Sequence, residues 1–391
     1  MVWKNIILRI FQSENPKLEY EKEKENLKNV EIISFDGSRK ESFLFLNLKD
    51  KYGDIEVKKL AEYENLQFYS KEIKKVGYFL EMDTNVASYI DRLCKGTLEE
   101  DKKRDILEII QILDKKRENF QLGANLYIWE NVVKGINDEI IVDTMRSVNY
   151  AMNHTMYKDL NDKKLDDEDK KIKKQIEVIK KEKEKLEKEK YFPICSLLLK
   201  VFCIKISKKN IYEQVKELVD FINETLCMYM ENEVLLCLMY LLNDKMIKDS
   251  KFFKIEKNSN KKNVIKNIKG MAWDLLHFRM KQSYLIENQK NIIKLPIIIT
   301  ADKGMSSIIE INKMRFFSFY KENENIDSVV IYENNVISYL EELKSNNKVS
   351  SDKILEIFSQ LYDKENITKR IRKRDAVNYK ILFDEILNNV L

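Results

Sequence analysis

The chain has 391 residues, 44% of them apolar, which is enough for a sizeable core and for two or three domains at roughly 150 residues each. Seventy Lys and Arg stand against 65 Asp and Glu, and the resulting net charge of +5 is too small for bulk charge alone to mark a nucleic-acid binder, so any basic surface must come from local clustering. With only 8 Gly and 3 Pro, long helices are expected and an all-β sandwich with many tight turns is excluded.

From the N-terminus, Ile6–Ile7–Leu8 is interrupted by Arg9, too short an apolar run for a signal peptide or a membrane span. Asn5–Phe11, Val30–Phe35 and Ser42–Leu48 read as strands, with Asp36-Gly37 as a turn and a helix from about Ile55 to Tyr63. Residues 1–75 are therefore expected to form a small α+β module. Val76–Met82 is an apolar run of strand length that ends at an acid. Helices are expected at Val86–Cys94, Glu99–Glu118 and Ala124–Lys134, followed by a connection from Gly135 to Tyr157.

Asp162–Lys190 is almost wholly Lys, Glu and Asp, with Leu165, Ile172, Ile176, Ile179 and Leu186 as a thin heptad seam in which Asp169 and Lys183 occupy core positions. It reads as a solvated helix or half of a helical hairpin, with a dimerising or nucleic-acid-gripping arm as the sharper reading. Alternating charge signs argue against tight phosphate binding along it. Phe192–Lys248 is apolar and helical. Val234–Leu242 is bounded by Glu231, Glu233, Asn243 and Asp244 and reads as a buried helix, not a span. Asn258–Lys269 reads as a basic loop before the helix Met271–Gln282. Leu295–Thr300 and Ser328–Tyr332 are strand-like, and Val336–Lys344 helical. Ser350–Leu391 looks like two helices carrying Lys369, Arg370, Arg372, Lys373 and Arg374, the densest basic cluster.

Five cysteines (Cys94, Cys195, Cys203, Cys227, Cys237) form no CxxC pair and read as small core hydrophobes. Only two histidines exist, His154 and His277, which leaves little room for a zinc site or a Ser-His-Asp triad. His154 is assigned no role.

Acids at strand ends carry more information. Asp83 follows Val76–Met82, and Asp302 follows Leu295–Thr300. In an open α/β sheet, ligands collect beyond the carboxyl ends of parallel strands, so both acids are expected at one crevice. Asp274 lies near the start of Met271–Gln282, and Glu130 on Ala124–Lys134. Two like charges 4 Å apart repel by roughly 4 kcal/mol at an effective dielectric of 20, so a cluster of this kind calls for a cation or for protonation. Hard oxygen donors favour Mg²⁺ or Mn²⁺.

Val76–Leu93 resembles the opening strand and helix of a PIN domain. Leu122–Glu130 resembles the family's second motif, Ala272–Phe278 the third, and Leu295–Asp302 with Lys303-Gly304-Met305 the fourth. Ser328–Tyr332 with Val336–Leu340 is similar to the closing strand and helix, and the four acids occur in the family's order. The long segment between Glu130 and Asp274 departs from a compact PIN domain, and Glu118 and Asp143 remain alternative carriers of the second acid.

The resemblance implies an α/β fold, with a PIN-like parallel sheet flanked by helices over residues 76–345, a helical insertion at about 155–260, and a C-terminal helical extension over 346–391. It implies a Mg²⁺- or Mn²⁺-dependent endonuclease for single-stranded nucleic acid, RNA before DNA. Asp83, Asp274 and Asp302 would hold the metal, and Glu130 would complete the set or orient water. Thr84, Asn85 and Thr300 would support the carboxylates. Lys303 and the basic cluster Lys369, Arg370, Arg372, Lys373 and Arg374 would contact phosphates. His277, one turn after Asp274, can reach the site. Trp129 and Trp273 read as core before base-stackers. A toxin or phage-defence setting, a cytoplasmic location, no membrane partner, and a homo-oligomer or regulatory partner are further expectations. The alternatives are a non-catalytic nucleic-acid-binding or scaffold protein with a decayed PIN-like fold, and a helical interaction protein.

Overall fold

A computed structural model describes residues 6–7, 9–10, 16–27, 30–34, 45–47, 67–68, 75–115, 120–123, 125–153, 162–255, 259–284, 292–301, 308, 311, 314–322, 325–332, 335–345 and 351–390. The strands are β1 (Val30–Ser34), β2 (Phe45–Asn47), β3 (Gln67–Phe68), β4 (Lys75–Met82), β5 (Phe120–Gly123), β6 (Ile292–Thr300), β7 (Met314–Glu322) and β8 (Asn325–Tyr332). They form two sheets of four. One is parallel, in the order β2-β6-β4-β5, and the other antiparallel, in the order β3-β1-β7-β8.

The helices are α1 (Pro16–Glu23), α2 (Thr84–Cys94), α3 (Glu100–Lys115), α4 (Asn125–Lys134), α5 (Asp138–Asn153), α6 (Asp162–Leu186), α7 (Phe192–Ile206), α8 (Ile211–Asp220), α9 (Glu231–Leu241), α10 (Lys245–Ser250), α11 (Lys261–Tyr284), α12 (Val336–Ser345), α13 (Ser351–Ser359), α14 (Lys364–Arg374) and α15 (Tyr379–Val390). The α/β reading thus holds: α2, α4 and α11 pack against the parallel sheet. Among the described residues no helix is long and apolar enough to cross a membrane.

Several expectations change. Residues 1–75 are not self-contained, because backbone hydrogen bonds put β1 beside β7 and β2 beside β6. Such short strands need partners from the distant C-terminal half, since an isolated strand pair is marginal in water. Ile6–Ile7 and Arg9–Ile10 are helical, not strand. The strand expected to close the parallel sheet, Ser328–Tyr332, belongs to β8 and pairs antiparallel with β7 in the other sheet. The supposed connection after Gly135 is mostly α5, whose Ile141, Val142, Met145 and Val148 share one buried face. α11 begins at Lys261, so Asp274 lies in mid-helix instead of at its start. The C-terminal stretch holds three helices, not two. The helix expected at 55–63 lies outside the described residues.

The charged segment is α6, and its seam faces this same chain. Ile172, Ile176, Ile179 and Leu186 are buried, and α6 packs on α4 and α5. The charges at the seam find partners across that contact. Asp169 pairs with Arg146 (Nε–Oδ2 3.1 Å), and Lys183 donates to the Val132 carbonyl at 3.5 Å.

Helices α7 and α9 are largely apolar and buried. Their cores are continuous with that of the sheet: Leu80 and Met82 of β4, Ile298 of β6, Leu198 of α7, Leu236 of α9 and Phe383 of α15 share one cluster. α8 starts with a capping box. The Asn210 side chain accepts from the Tyr212 and Glu213 N–H groups at 3.0 and 3.1 Å, and Glu213 accepts from the Asn210 N–H at 3.0 Å. Asn210→Ala will lower the stability by about 1 kcal/mol, read as a lower urea midpoint with an unchanged slope.

Candidate functional site

The parallel register aligns Met82 of β4 with Ile299 of β6, so both strands finish at the same edge. Asp83 is the first residue beyond β4 and the N-cap of α2. Its Oδ1 accepts the Val86 N–H at 2.8 Å, and its own N–H donates to the Ile299 carbonyl at 3.0 Å. Thr300, the last residue of β6, donates its hydroxyl to Asp83 Oδ2. The backbone N–H of Ala301 also donates to this carboxylate. Asp83 is only 4% exposed. Burial pushes its carboxyl up to about 6, reinforced by the charge of Glu130 and opposed by the Thr300, Val86 and Ala301 hydrogen bonds.

Glu130 comes to the same edge on α4. Strand β5 runs parallel to β4, with Glu81 opposite Gly123, and the chain then turns into α4. The N-terminus of α4 is fixed from below by Glu81, which is fully buried. Asn125 donates to Glu81 Oε1 at 3.0 Å and the Leu126 N–H to Oε2 at 3.3 Å. A carboxylate at this position satisfies a free N–H of the first turn and complements the helix dipole. Gly123 is needed because a Cβ there would lie 2.5 Å from Phe79 Cζ and 2.9 Å from Glu81 Cδ.

Further along α4, Glu130 is buried and accepts from the Thr84 hydroxyl through Oε2 and from Lys134 through Oε1. Thr84 is the residue after Asp83, so it links the two acids directly. His277 of α11 places Nε2 3.6 Å from Glu130 Oε2. Burial presses the Glu130 carboxyl upward, but His277, Lys134 and Thr84 together hold it below the usual carboxylate range. Burial also lowers His277, against the pull of Glu130. His277 is therefore neutral at pH 7, and there Lys134 and Thr84 are the groups that keep Glu130 ionised.

Compared with protein-family models, curated proteins and solved structures, the chain matches none.

The residues named from the sequence can now be placed. Asp83 and Glu130 meet at one edge, with Thr84 and Thr300 as direct hydrogen-bond partners. Asn85 is exposed. Asp274 is half-buried, three residues before His277 and so a neighbour on the helix surface. Asp302 and Lys303 lie outside the described residues, as do Glu118 and His154, although Thr300 and Ala301 carry the chain to Asp83 immediately before Asp302. Asp143 is exposed and paired with Lys95 at 2.5 Å, so of the two described candidates Glu130 is the one at this edge. Among the described residues no three His, Cys, Asp or Glu side chains stand where they can share one ion. Trp273 is core: it packs on Tyr191 with ring centroids 4.8 Å apart and on His277 at 5.6 Å.

The basic cluster of α14 is partly consumed internally. Arg370 is 6% exposed, donates to Asn223 and to the Leu361 carbonyl at 2.6 Å, and covers the Tyr229 ring. Its inward position removes it from any phosphate-binding face. Lys369 and Lys373 both pair with Glu224, and Arg374 with Asp375 at 3.2 Å. Arg372 is exposed. The sequence reading missed Glu81 altogether. Its only signal was an acid inside an otherwise apolar strand, at a position that alternation assigns to the interior.

Proposed function

We propose that this chain is a divalent-metal-dependent phosphodiesterase that cleaves single-stranded nucleic acid, RNA before DNA, on a PIN-like site. The observation that carries the reading is the meeting of Asp83 and Glu130 at the carboxyl edge of β4 and β6, joined through Thr84, with Thr300 and Ala301 bringing the chain up to Asp302. Two buried carboxylates so arranged need neutralisation. The ammonium of Lys134 supplies part of it here, and Asp83, pushed up to about 6, is neutralised by protonation only below that pH.

The donor set suits a small hard cation: Glu130 and Asp302 would hold it, with the charge of Asp83 beside them. Such an ion supplies an activated water and stabilises charge on a phosphoryl oxygen. The chain's own groups do the rest. Thr84 and Thr300 orient the carboxylates. Lys134, whose side chain is partly exposed, can reach a phosphate oxygen. Lys303, Arg372 and Lys373 are the cationic groups offered to the nucleic-acid backbone. A toxin or defence effector is the setting this activity would suit.

A second reading is a non-catalytic nucleic-acid-binding or scaffold protein. It is favoured by the two hydrogen-bonded oxygens of Asp83, an arrangement a helix cap alone would explain. One experiment separates the two. The full chain is incubated with end-labelled single-stranded RNA or DNA in Mn²⁺, Mg²⁺ or EDTA. Cleavage in Mn²⁺ or Mg²⁺ but not in EDTA is expected. Binding with no cleavage in any metal would overturn the nuclease reading in favour of the second.

A further inference from the structure

His277 is 2% exposed, and its Nε2 is one of two buried side-chain polar atoms without a hydrogen-bond partner among the described residues. Buried polar atoms are rarely left so, and each instance calls for an explanation. The neighbouring groups are committed elsewhere. The Tyr191 hydroxyl donates to the Lys269 carbonyl at 3.4 Å, and Trp273 offers His277 its ring. Lys134 engages the far oxygen of Glu130. Among the described residues Glu130 Oε2 stands opposite Nε2, and 3.6 Å is too long for a hydrogen bond.

That spacing lies about 0.2 Å beyond the spacing of two ligands on one ion, so a small closure would let both bind it. Donor atoms about 2.1 Å from a metal at octahedral or tetrahedral angles lie about 3.0–3.4 Å apart. Thr84 takes one acceptor site of Oε2, and a carboxylate oxygen has a second.

We infer that His277 Nε2 and Glu130 Oε2 form a mixed nitrogen–oxygen pair that ligates the divalent ion, so that the site prefers Mn²⁺ or another transition ion to Mg²⁺. The inference rests on the metal-dependent reading above and deepens it. Imidazole suits transition metals, whereas Mg²⁺ takes oxygen donors almost alone. Trp273, itself packed on Tyr191, lies against the ring and helps to fix its orientation.

The test is pulsed EPR of the full chain loaded with Mn²⁺ alone, with isothermal titration by Mn²⁺ and Mg²⁺. The wild type is expected to show nitrogen modulation from an imidazole. With only two histidines in the chain, the source is assigned by His277→Gln, which should lose the modulation, and by His154→Gln, which should keep it. Mn²⁺ affinity should fall at least about tenfold in His277→Gln, with a smaller change for Mg²⁺. Modulation that persists in His154→Gln leaves His277 as its source, so these two spectra decide the matter even if His277→Gln folds poorly. Mn²⁺ bound without nitrogen modulation, or modulation that survives in His277→Gln, would overturn the histidine ligand and leave an oxygen-only site standing. If the wild type binds neither ion, the metal-dependent reading fails as well.

Discussion

Asp83→Asn will reduce RNA cleavage by about a thousandfold while leaving the chain folded. The fold should survive because Asn serves as well as Asp at a helix N-cap. Its side-chain oxygen can keep the Val86 N–H, and the Thr300 hydroxyl can turn to accept from the amide. What disappears is the negative charge. If that charge contributes about 4 kcal/mol to the transition state through a bound ion, the rate falls by about three orders of magnitude.

The same substitution has a stability signature with a definite sign. The folded Asp83 carboxyl is pushed up to about 6, above the unfolded value of about 3.9. A group raised on folding contributes stability that is fully present below the unfolded pKa and is lost as pH rises through the folded one. Relative to Asp83→Asn, which does not titrate, the wild type should therefore lose about 2 kcal/mol between pH 4 and pH 7. The difference between the two proteins isolates Asp83, because Glu130 and His277 titrate in both. Guanidinium unfolding in EDTA across that range reads it. A difference that stays flat with pH would contradict the raised carboxyl of Asp83. Wild-type cleavage by the variant would remove Asp83 from the chemistry.

Why Asp83 was legible in the sequence and His277 only half so is a matter of range. β4 is an eight-residue strand with an apolar run, and the acid after it caps the next helix, so a local pattern contains both the element and the residue's position. Thr300 was legible for the same reason at the end of β6. The partner of His277 was not, because it depends on how α11 crosses α4, which no local spacing encodes. β5 escaped notice because Phe120–Gly123 is four residues long and becomes a strand through its pairing with β4. α5 was obscured by Gly135 and Asn137, which read as a loop, although its apolar periodicity begins at Ile141. α6 shows the converse: its seam was visible, but whether it faced a second copy or this chain was decided by α4 and α5 having apolar faces to offer. The basic cluster misled as composition does, since Arg370 points inward at Asn223. The mixing of N- and C-terminal strands in both sheets was invisible because register is set by distant partners.

Glu81→Ala, at a position remote from solvent, should be the most damaging single change to the fold near the site. It leaves Asn125 and the buried Leu126 N–H without their acceptor, each at about 1–3 kcal/mol, and opens a cavity beneath α4. The summed loss is about 4 kcal/mol, measurable by guanidinium unfolding. Cleavage should fall with it, because Glu130 rides on the helix that Glu81 anchors. Glu81→Gln keeps an acceptor and should lose only about 1 kcal/mol. Gly123→Ala tests the same contact from the other side. Its new methyl group would collide with Phe79 and Glu81, at about 1–3 kcal/mol for overpacking. When Glu81→Ala and Gly123→Ala are combined, the methyl group added by the second change enters space that the Glu81 carboxylate has left. The two losses should then fall short of their sum by about 1 kcal/mol, the coupling expected of residues in direct contact. Strict additivity would mean that Glu81 does not lie under Gly123, and the anchoring of α4 would have to come from elsewhere.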